Sequence, residues 1–394
     1  MESVAHKKRE HALLSASGAH RWMNCTPSAK LEAEYGSDEG SVYANEGTLA
    51  HELSELVLRK DVLGVISESE FAKELEKIKS NSLYKNEMYD VISIYTSYCI
   101  EQYDAARAID DCAMFDVEQK LDLSEYVKDS FGTADCVILA DNVMEVIDLK
   151  YGMGVHVSAE HNPQLMLYGL GAYSKYCLAY DISSIRLTIV QPRIDNISSW
   201  LISVEDLKKW SESILMPAAK AAEEGAGELS VGEWCRFCSV RNICRKLYED
   251  RIEIAKNEFL DESILTDEEI ADIVIRLPKL VEWANSIHEY AQTEAIKGKQ
   301  WPGLKLVESR STRKWKSEDE AAMAIIKEFP EISEDMLYNI KLKGITDVER
   351  MVGKGPFSKL SSVIVKAPGR PILVPESDNR KPIDSILDAK KDFS

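Results

Sequence analysis

The chain of 394 residues contains no run of about 18 apolar residues, the length a helix needs to cross a bilayer. Its first ten residues, Met1 to Glu10, lack the apolar centre of a secretory signal. Both absences predict a cytoplasmic protein with no membrane partner. A reducing cytosol in turn excludes a disulfide framework for the eight cysteines. Basic charge is also short. Lys and Arg number 48 against 67 Asp and Glu, a net charge of −19, which counts against nucleic-acid binding because phosphate contacts draw on Lys and Arg. The deficit is uneven: residues 301–394 hold 17 basic and 15 acidic residues, so the first 300 hold 31 and 52. An enzyme that concentrates its cations in one groove stays compatible with that balance. Internal repeats and low-complexity segments are missing too.

The length exceeds one comfortable core, so a large domain with appendages is expected. Residues 13–35 predict a short helix with Ser17 as its N-cap. Residues 46–59 predict an amphipathic helix whose face carries Leu49, Leu53, Leu56 and Val57, with His51 off that stripe. Residues 68–110 read as helical and charged. The texture then changes to strands over 115–123, 133–140 and 143–149, a helix from 163, and a β-branched strand over 185–191. Residues 204–224 and 265–298 return to helix. The division expected is 1–250, a helical connector over 251–300, and a helical and mixed accessory region over 301–394. In that last region Arg310, Arg313, Lys314, Trp315 and Lys316 are candidates for backbone contact and stacking.

The chemistry concentrates in Gly132-Thr-Ala-Asp135 and the following hairpin, which ends in Asp148-Leu-Lys150. With Asp141-Asn142 as a two-residue turn, Ala140 faces Val143 and Asp135 faces Asp148. Opposed residues of an antiparallel pair lie roughly 4.5–5.5 Å apart at Cα, and period-two alternation sets Lys150 beside Asp148. Two like charges so placed repel in a plain strand, whereas Mg²⁺ or Mn²⁺ would draw them together and leave room for a phosphate. Lys150 could then polarise an attacking water. Gln164 and Tyr168, four apart on the next helix, share a face. Glu118, on the first strand, could add a carboxylate or face solvent.

The cysteines at 235, 238 and 244 form Cys-x₂-Cys-x₅-Cys beside Arg236, Arg241 and Arg245. Three thiolates need a fourth to complete a tetrahedral zinc or a Cys₄ cluster, and spacing alone leaves zinc and iron–sulfur open.

Taken together these segments resemble the PD-(D/E)XK nuclease superfamily in its RecB-like branch. Gly132-Thr-Ala-Asp135 matches that family's Gly-x-x-Asp strand, Asp148-Leu-Lys150 its (Asp/Glu)-x-Lys, Gln164-Leu-Met-Leu-Tyr168 its Gln-x-x-x-Tyr helix, and Gly47-Thr-Leu-Ala-His51-Glu52 its upstream histidine helix. The resemblance spans roughly residues 13–248, with a vaguer likeness to phage-encoded proteins beyond. It implies an α/β restriction-endonuclease-like core of order αβββαβ, a central mixed sheet flanked by helices. It further implies that Asp135 and Asp148 bind Mg²⁺ or Mn²⁺ with His51 and, least securely, Glu118. Lys150 would assist the water, while Gln164 and Tyr168 would contact DNA or steady the site. AddB-like and CRISPR-associated relatives of this branch hold a [4Fe–4S] cluster through one cysteine before the core and three after it, which implies Cys25 with Cys235, Cys238 and Cys244. The activity implied is exonucleolytic DNA hydrolysis in recombination, repair or phage DNA processing, with a single-strand-binding or annealing protein as a candidate partner. Two alternatives stand beside it: a DNA-binding or scaffold protein without turnover, and an interaction module built on zinc.

Overall fold

A computed structural model describes residues 12–36, 42–256, 266–305 and 317–328, with isolated positions 307, 337 and 345. Two compact units divide the chain, Met1–Phe259 and Leu260–Ser394. The first is α/β, with a five-stranded mixed sheet flanked by helices.

The chain enters through a single 3₁₀ turn at Ala16–Gly18, then α1 (Ala19–Asn24) and α2 (Ser28–Tyr35). Ser15, not Ser17, caps this entry: its side chain accepts from Gly18 N at 3.2 Å. Helix α3 (Val42–Asp61) buries Leu49, Leu53, Leu56 and Val57 as its periodicity predicts. The charged stretch that follows is two helices rather than one. Helix α4 (Glu68–Lys79) starts on a capping box in which Ser67 and Glu70 each satisfy the other's backbone N–H. It ends before Asn81, whose side chain accepts from Leu83 N, and α5 (Asn86–Ile109) begins after that turn.

Strands β1 (Met114–Asp122), β2 (Phe131–Ala140) and β3 (Val143–Leu149) form an antiparallel meander. The expected register holds from Ala140 opposite Val143 out to Cys136 opposite Ile147; the pairing stops one step short of Asp135 and Asp148, the two residues expected to face each other. Asp141 takes the left-handed conformation that the tight turn needs, φ 53°. Helix α6 (Pro163–Tyr176), capped by Asn162 with Pro163 in its first turn, crosses over so that β4 (Ser184–Gln191) runs parallel to β3. The sheet adds an edge strand that the residue pattern does not predict, β5 (Asn196–Ser203), antiparallel to β4. Its adjacent Ser198 and Ser199 interrupt the apolar residues, so the strand gives little apolar signal. Helices α7 (Val204–Trp210) and α8 (Met216–Glu224) follow, joined by a π turn, and α9 (Arg245–Lys256) comes after the cysteines.

Period-two alternation assigns the sheet's two faces. Val137, Leu139, Met144, Val146, Leu187 and Ile189 pack on the side of α6. Phe115, Val117, Cys136, Ile138, Ile147 and Leu149 pack on the side of α3 and α5. The alternation inverts at one level of β1 and β2. Leu121 and Ala134 belong to the α6 face, although Val117 and Cys136, an even number of residues away, belong to the other. The inversion falls at Glu118 and Asp135, which the register sets level with each other between Val117↔Cys136 and Gln119↔Ala134. Glu118 itself has φ 51°, a left-handed backbone on a residue with a β-carbon.

In the second unit the described residues contribute α10 (Asp267–Ile296) and α11 (Glu318–Glu328). The basic candidates Arg310, Arg313, Lys314, Trp315 and Lys316 lie outside the described residues. Among the described residues no helix is long and apolar enough to cross a membrane.

Candidate functional site

The inversion at Glu118 and Asp135 changes what the hairpin acid can reach. Had β2 alternated regularly, Asp135 would face α6 with Val137 and Leu139. Instead its Oδ1 lies 3.0 Å from Nδ1 of His51, on the opposite helix α3. Its Oδ2 accepts from the backbone N–H of Leu149 at 2.7 Å, across the strand pair. His51, Glu118 and Asp135 each offer a ligand atom, all within 4.8 Å of one another. Among the described residues this is the group of His, Cys, Asp and Glu side chains spaced to hold a single ion.

Asp148 stands on the α6 side of the same sheet end. Its Oδ2 is 2.8 Å from Lys150 Nζ. That contact is Coulombic, because the angles leave the buried Oδ2 with no hydrogen bond. Lys150 Nζ donates instead to Gln164 Oε1 at 2.9 Å, and Gln164 Nε2 donates to the Tyr168 hydroxyl at 3.0 Å. The Gln-x-x-x-Tyr spacing therefore holds the lysine by a helical i, i+4 relay. Gly132 completes it: a β-carbon there would come within 2.6 Å of the Tyr168 ring. The glycine three residues before Asp135 is the place where the α6 tyrosine lies against β2.

Burial and charge separate the two aspartates. Burial opposes ionisation of both. At Asp135 the His51 imidazole, the Leu149 N–H and Lys150 outweigh burial and hold the carboxyl below its usual range. At Asp148 burial prevails, reinforced by the charge of Asp135 against the pull of Lys150, and the carboxyl is raised. Burial disfavours the charged His51, but Asp135 and then Asp148 overcome it and push the imidazole up to about 9. Burial also raises the Tyr168 hydroxyl, with the charge of Asp148 adding to it. Three carboxylates thus meet two cationic side chains at one sheet end, an arrangement that attracts a further cation.

One neighbour escaped the sequence reading. Glu46 is buried on α3, with Lys85 Nζ at 3.0 Å and Arg193 Nη1 at 3.9 Å, while the Arg193 guanidinium lies over the Tyr151 ring at 4.8 Å. The signal was present, since Glu46 continues the Leu49, Leu53, Leu56 stripe by helical spacing. An acid on an apolar stripe is buried only when it is paired.

The second group of expected residues also converges. Cys25, Cys235, Cys238 and Cys244 line one pocket with Arg21, Trp234, Arg241 and Leu247. Burial raises the Cys235 thiol, with Cys244 and Cys25 adding to it, and pushes Cys238 up to about 12. The two ends of the chain segment are tied independently of any metal. Lys30 Nζ donates to Glu224 O at 2.9 Å, Ser239 N donates to Glu32 Oε1 at 2.7 Å, and Thr26 Oγ1 donates to Ala226 O at 2.5 Å.

Fold and geometry thus define an α/β protein with a His–Glu–Asp cluster and an Asp–Lys pair at one sheet end, and a separate four-cysteine pocket. By sequence the chain belongs to the family described as "Protein of unknown function (DUF2800)", whose model matches residues 11–381. Among solved structures it is similar to the one titled "Crystal structure of SSO0001", at 12% identity and a TM-score of 0.28, over 62% of this chain and 90% of that one.

Proposed function

We propose that this chain is a divalent-metal-dependent deoxyribonuclease with a PD-(D/E)XK core of the RecB-like branch, acting exonucleolytically on DNA in recombination, repair or phage DNA processing. The observation that carries the reading is the convergence of His51, Glu118, Asp135, Asp148 and Lys150, drawn from four elements, on one sheet end. The order of α5, β1, β2, β3, α6 and β4 supports the same core.

The donor set fits Mg²⁺ or Mn²⁺. Carboxylate oxygens and one imidazole suit these ions. Asp148 Oδ2 carries no hydrogen bond beyond its ion pair with Lys150, and His51, held cationic by Asp135, would release its proton on binding through nitrogen. His51, Glu118, Asp135 and Asp148 would hold the ion. When bound, it would activate a water and screen the charge of the scissile phosphate. Lys150 then stays beside Asp148, held by Gln164, and its ammonium stabilises the charge that builds on the phosphate oxygens as water attacks. Tyr168 fixes the orientation of Gln164 and hence of the lysine.

The four cysteines fit a metal centre of thiolate ligands, a [4Fe–4S] cluster in our reading with zinc as the alternative. Its role would be structural, closing residues 19–35 onto residues 224–244. Full-length protein purified without oxygen and incubated with end-labelled linear and closed circular DNA, with Mg²⁺, Mn²⁺ or chelator, tests the activity. Metal-dependent shortening of the linear substrate is expected. Lack of cleavage with either ion would refute it.

A further inference from the structure

Phe237 is 69% exposed, whereas most other large aromatics among the described residues pack. It sits between Cys235 and Cys238 at the end of a 3₁₀ turn, Glu233–Phe237. The backbone beneath it is anchored at two successive carbonyls: Arg236 O accepts from Arg241 Nη1 at 2.7 Å, and Phe237 O accepts from Arg21 Nη1 at 3.5 Å. The ring is therefore presented by a fixed turn. The Arg236 guanidinium lies 5.9 Å from its centroid, and both side chains are exposed.

The turn lies in a basic stretch of the sequence, although Glu32 meets Ser239 beside it. Residues 232–247 contain Arg236, Arg241, Arg245 and Lys246 against the single acid Glu233, in a chain of net charge −19. This basic stretch also meets the loop that follows Lys150 of the candidate active site. Arg236 Nη2 would lie 3.8 Å from a β-carbon on Gly154, in the loop that starts at Lys150, and Met153 and Val155 of that loop are exposed.

We infer that Arg236 and Phe237 grip single-stranded DNA beside the active site, the phenyl ring stacking on an unpaired base and the arginine meeting the adjacent phosphate. The inference rests on the nuclease reading for its substrate class. An exposed ring on a fixed turn offers a face to any base, but only a base free of its duplex partner can lie on it. The cation supplies the backbone contact that the acidic remainder of the chain withholds.

The test measures fluorescence anisotropy of a labelled oligothymidylate and of a duplex of equal length, using full-length protein in the Asp148→Asn background so that binding is read without cleavage. Phe237→Ala should weaken oligothymidylate binding about 5- to 100-fold and leave duplex affinity little changed, while Phe237→Trp retains it. The emission change of a 2-aminopurine placed in the strand should be lost in Phe237→Ala and kept in Phe237→Trp, which a merely structural phenylalanine would not produce. Arg236→Ala should lower the salt dependence by about one phosphate contact. Equal losses on both substrates, no loss on either, or no DNA binding by the parent protein would overturn the inference. Cleavage by the wild-type chain decides the nuclease reading separately. A wild type that cuts DNA while Phe237→Ala binds it normally would remove this inference alone. A wild type that cuts nothing, with binding still dependent on Phe237, would remove the nuclease alone.

Discussion

The carboxylate end of the sheet and the cysteine pocket draw on the chain in different ways. At the sheet end, six of the seven polar side chains come from residues 118–168, placed by strand register and one helical turn, and only His51 arrives from outside. At the pocket, Cys25 meets Cys235, Cys238 and Cys244 from the far end of the unit. The donors differ as well. The sheet end is partly charge-compensated, with Asp135 held ionised by His51 and Asp148 beside Lys150, while Glu118 adds a third carboxylate. The Cys235 and Cys238 thiols are pushed toward their neutral form by burial. Under the proposed reading, the first site would serve exchangeable chemistry on local scaffolding and the second would serve closure. Damage to the first should cost activity without stability, and damage to the second should cost stability first.

The largest expected effect lies at the sheet end. Asp148→Asn and Lys150→Ala should each lower metal-dependent cleavage by about 10²- to 10⁴-fold, the range for a positioned charged group at a reacting centre. With metal chelated, Asp148→Asn should melt no lower than the wild type, because burial already disfavours the charge it removes. A large fall in its melting temperature would mean that Asp148 is structural and would dissolve the contrast.

Next comes the pocket. Cys25→Ser should lower the melting temperature by about 10 °C, the scale of a lost long-range staple, and bleach the visible absorption expected of an iron–sulfur centre. Colourless wild-type protein with stoichiometric zinc would replace iron by zinc and keep the staple. Undiminished colour and stability in Cys25→Ser would separate Cys25 from the other three.

Gly132→Ala sharpens the comparison within the sheet end. The new methyl meets the Tyr168 ring, so overpacking should cost about 1–3 kcal/mol and displace the Gln164 relay. Combined with Tyr168→Ala, the cost should be much less than the sum of the two single changes, as read in a double-mutant cycle by denaturant unfolding. Additive costs would show that the two residues act apart.

The smallest effect is expected at Glu118. Glycine relieves the left-handed backbone, so Glu118→Gly should stabilise the metal-free protein by about 1 kcal/mol while weakening Mn²⁺ binding measured by titration calorimetry. Loss of stability together with unchanged Mn²⁺ affinity would remove Glu118 from the ion site.

Much of this was legible because hairpin register is a local property. Asp141-Asn142 fixes Ala140 against Val143, and the steps outward follow as far as Cys136 against Ile147, one short of Asp135 and Asp148. The i, i+4 spacing of Gln164 and Tyr168 is local in the same sense, and the structure joins both to Lys150 as a relay. The inverted alternation at Glu118 and Asp135 was not legible, since it depends on two strands twisting together and neither segment carries a glycine or proline at the break. It decides which helix Asp135 meets and brings Glu118 in beside it. Strand β5 was hidden for another reason: adjacent Ser198 and Ser199 break its apolar run and leave an edge strand with too little contrast to register. Ser15 displaced Ser17 as the first cap because the chain opens with a 3₁₀ turn that periodicity does not distinguish from a longer helix.

The central claim is that the sheet end is a metal-dependent phosphodiesterase centre. Its most direct test compares wild-type and Asp148→Asn protein, purified without oxygen, on end-labelled linear DNA with Mn²⁺ and with chelator. The account predicts rapid shortening by the wild type with Mn²⁺, none with chelator, and loss of nearly all of it in Asp148→Asn with the fold intact. Cleavage by Asp148→Asn at the wild-type rate, or none by the wild type with Mn²⁺, would contradict it.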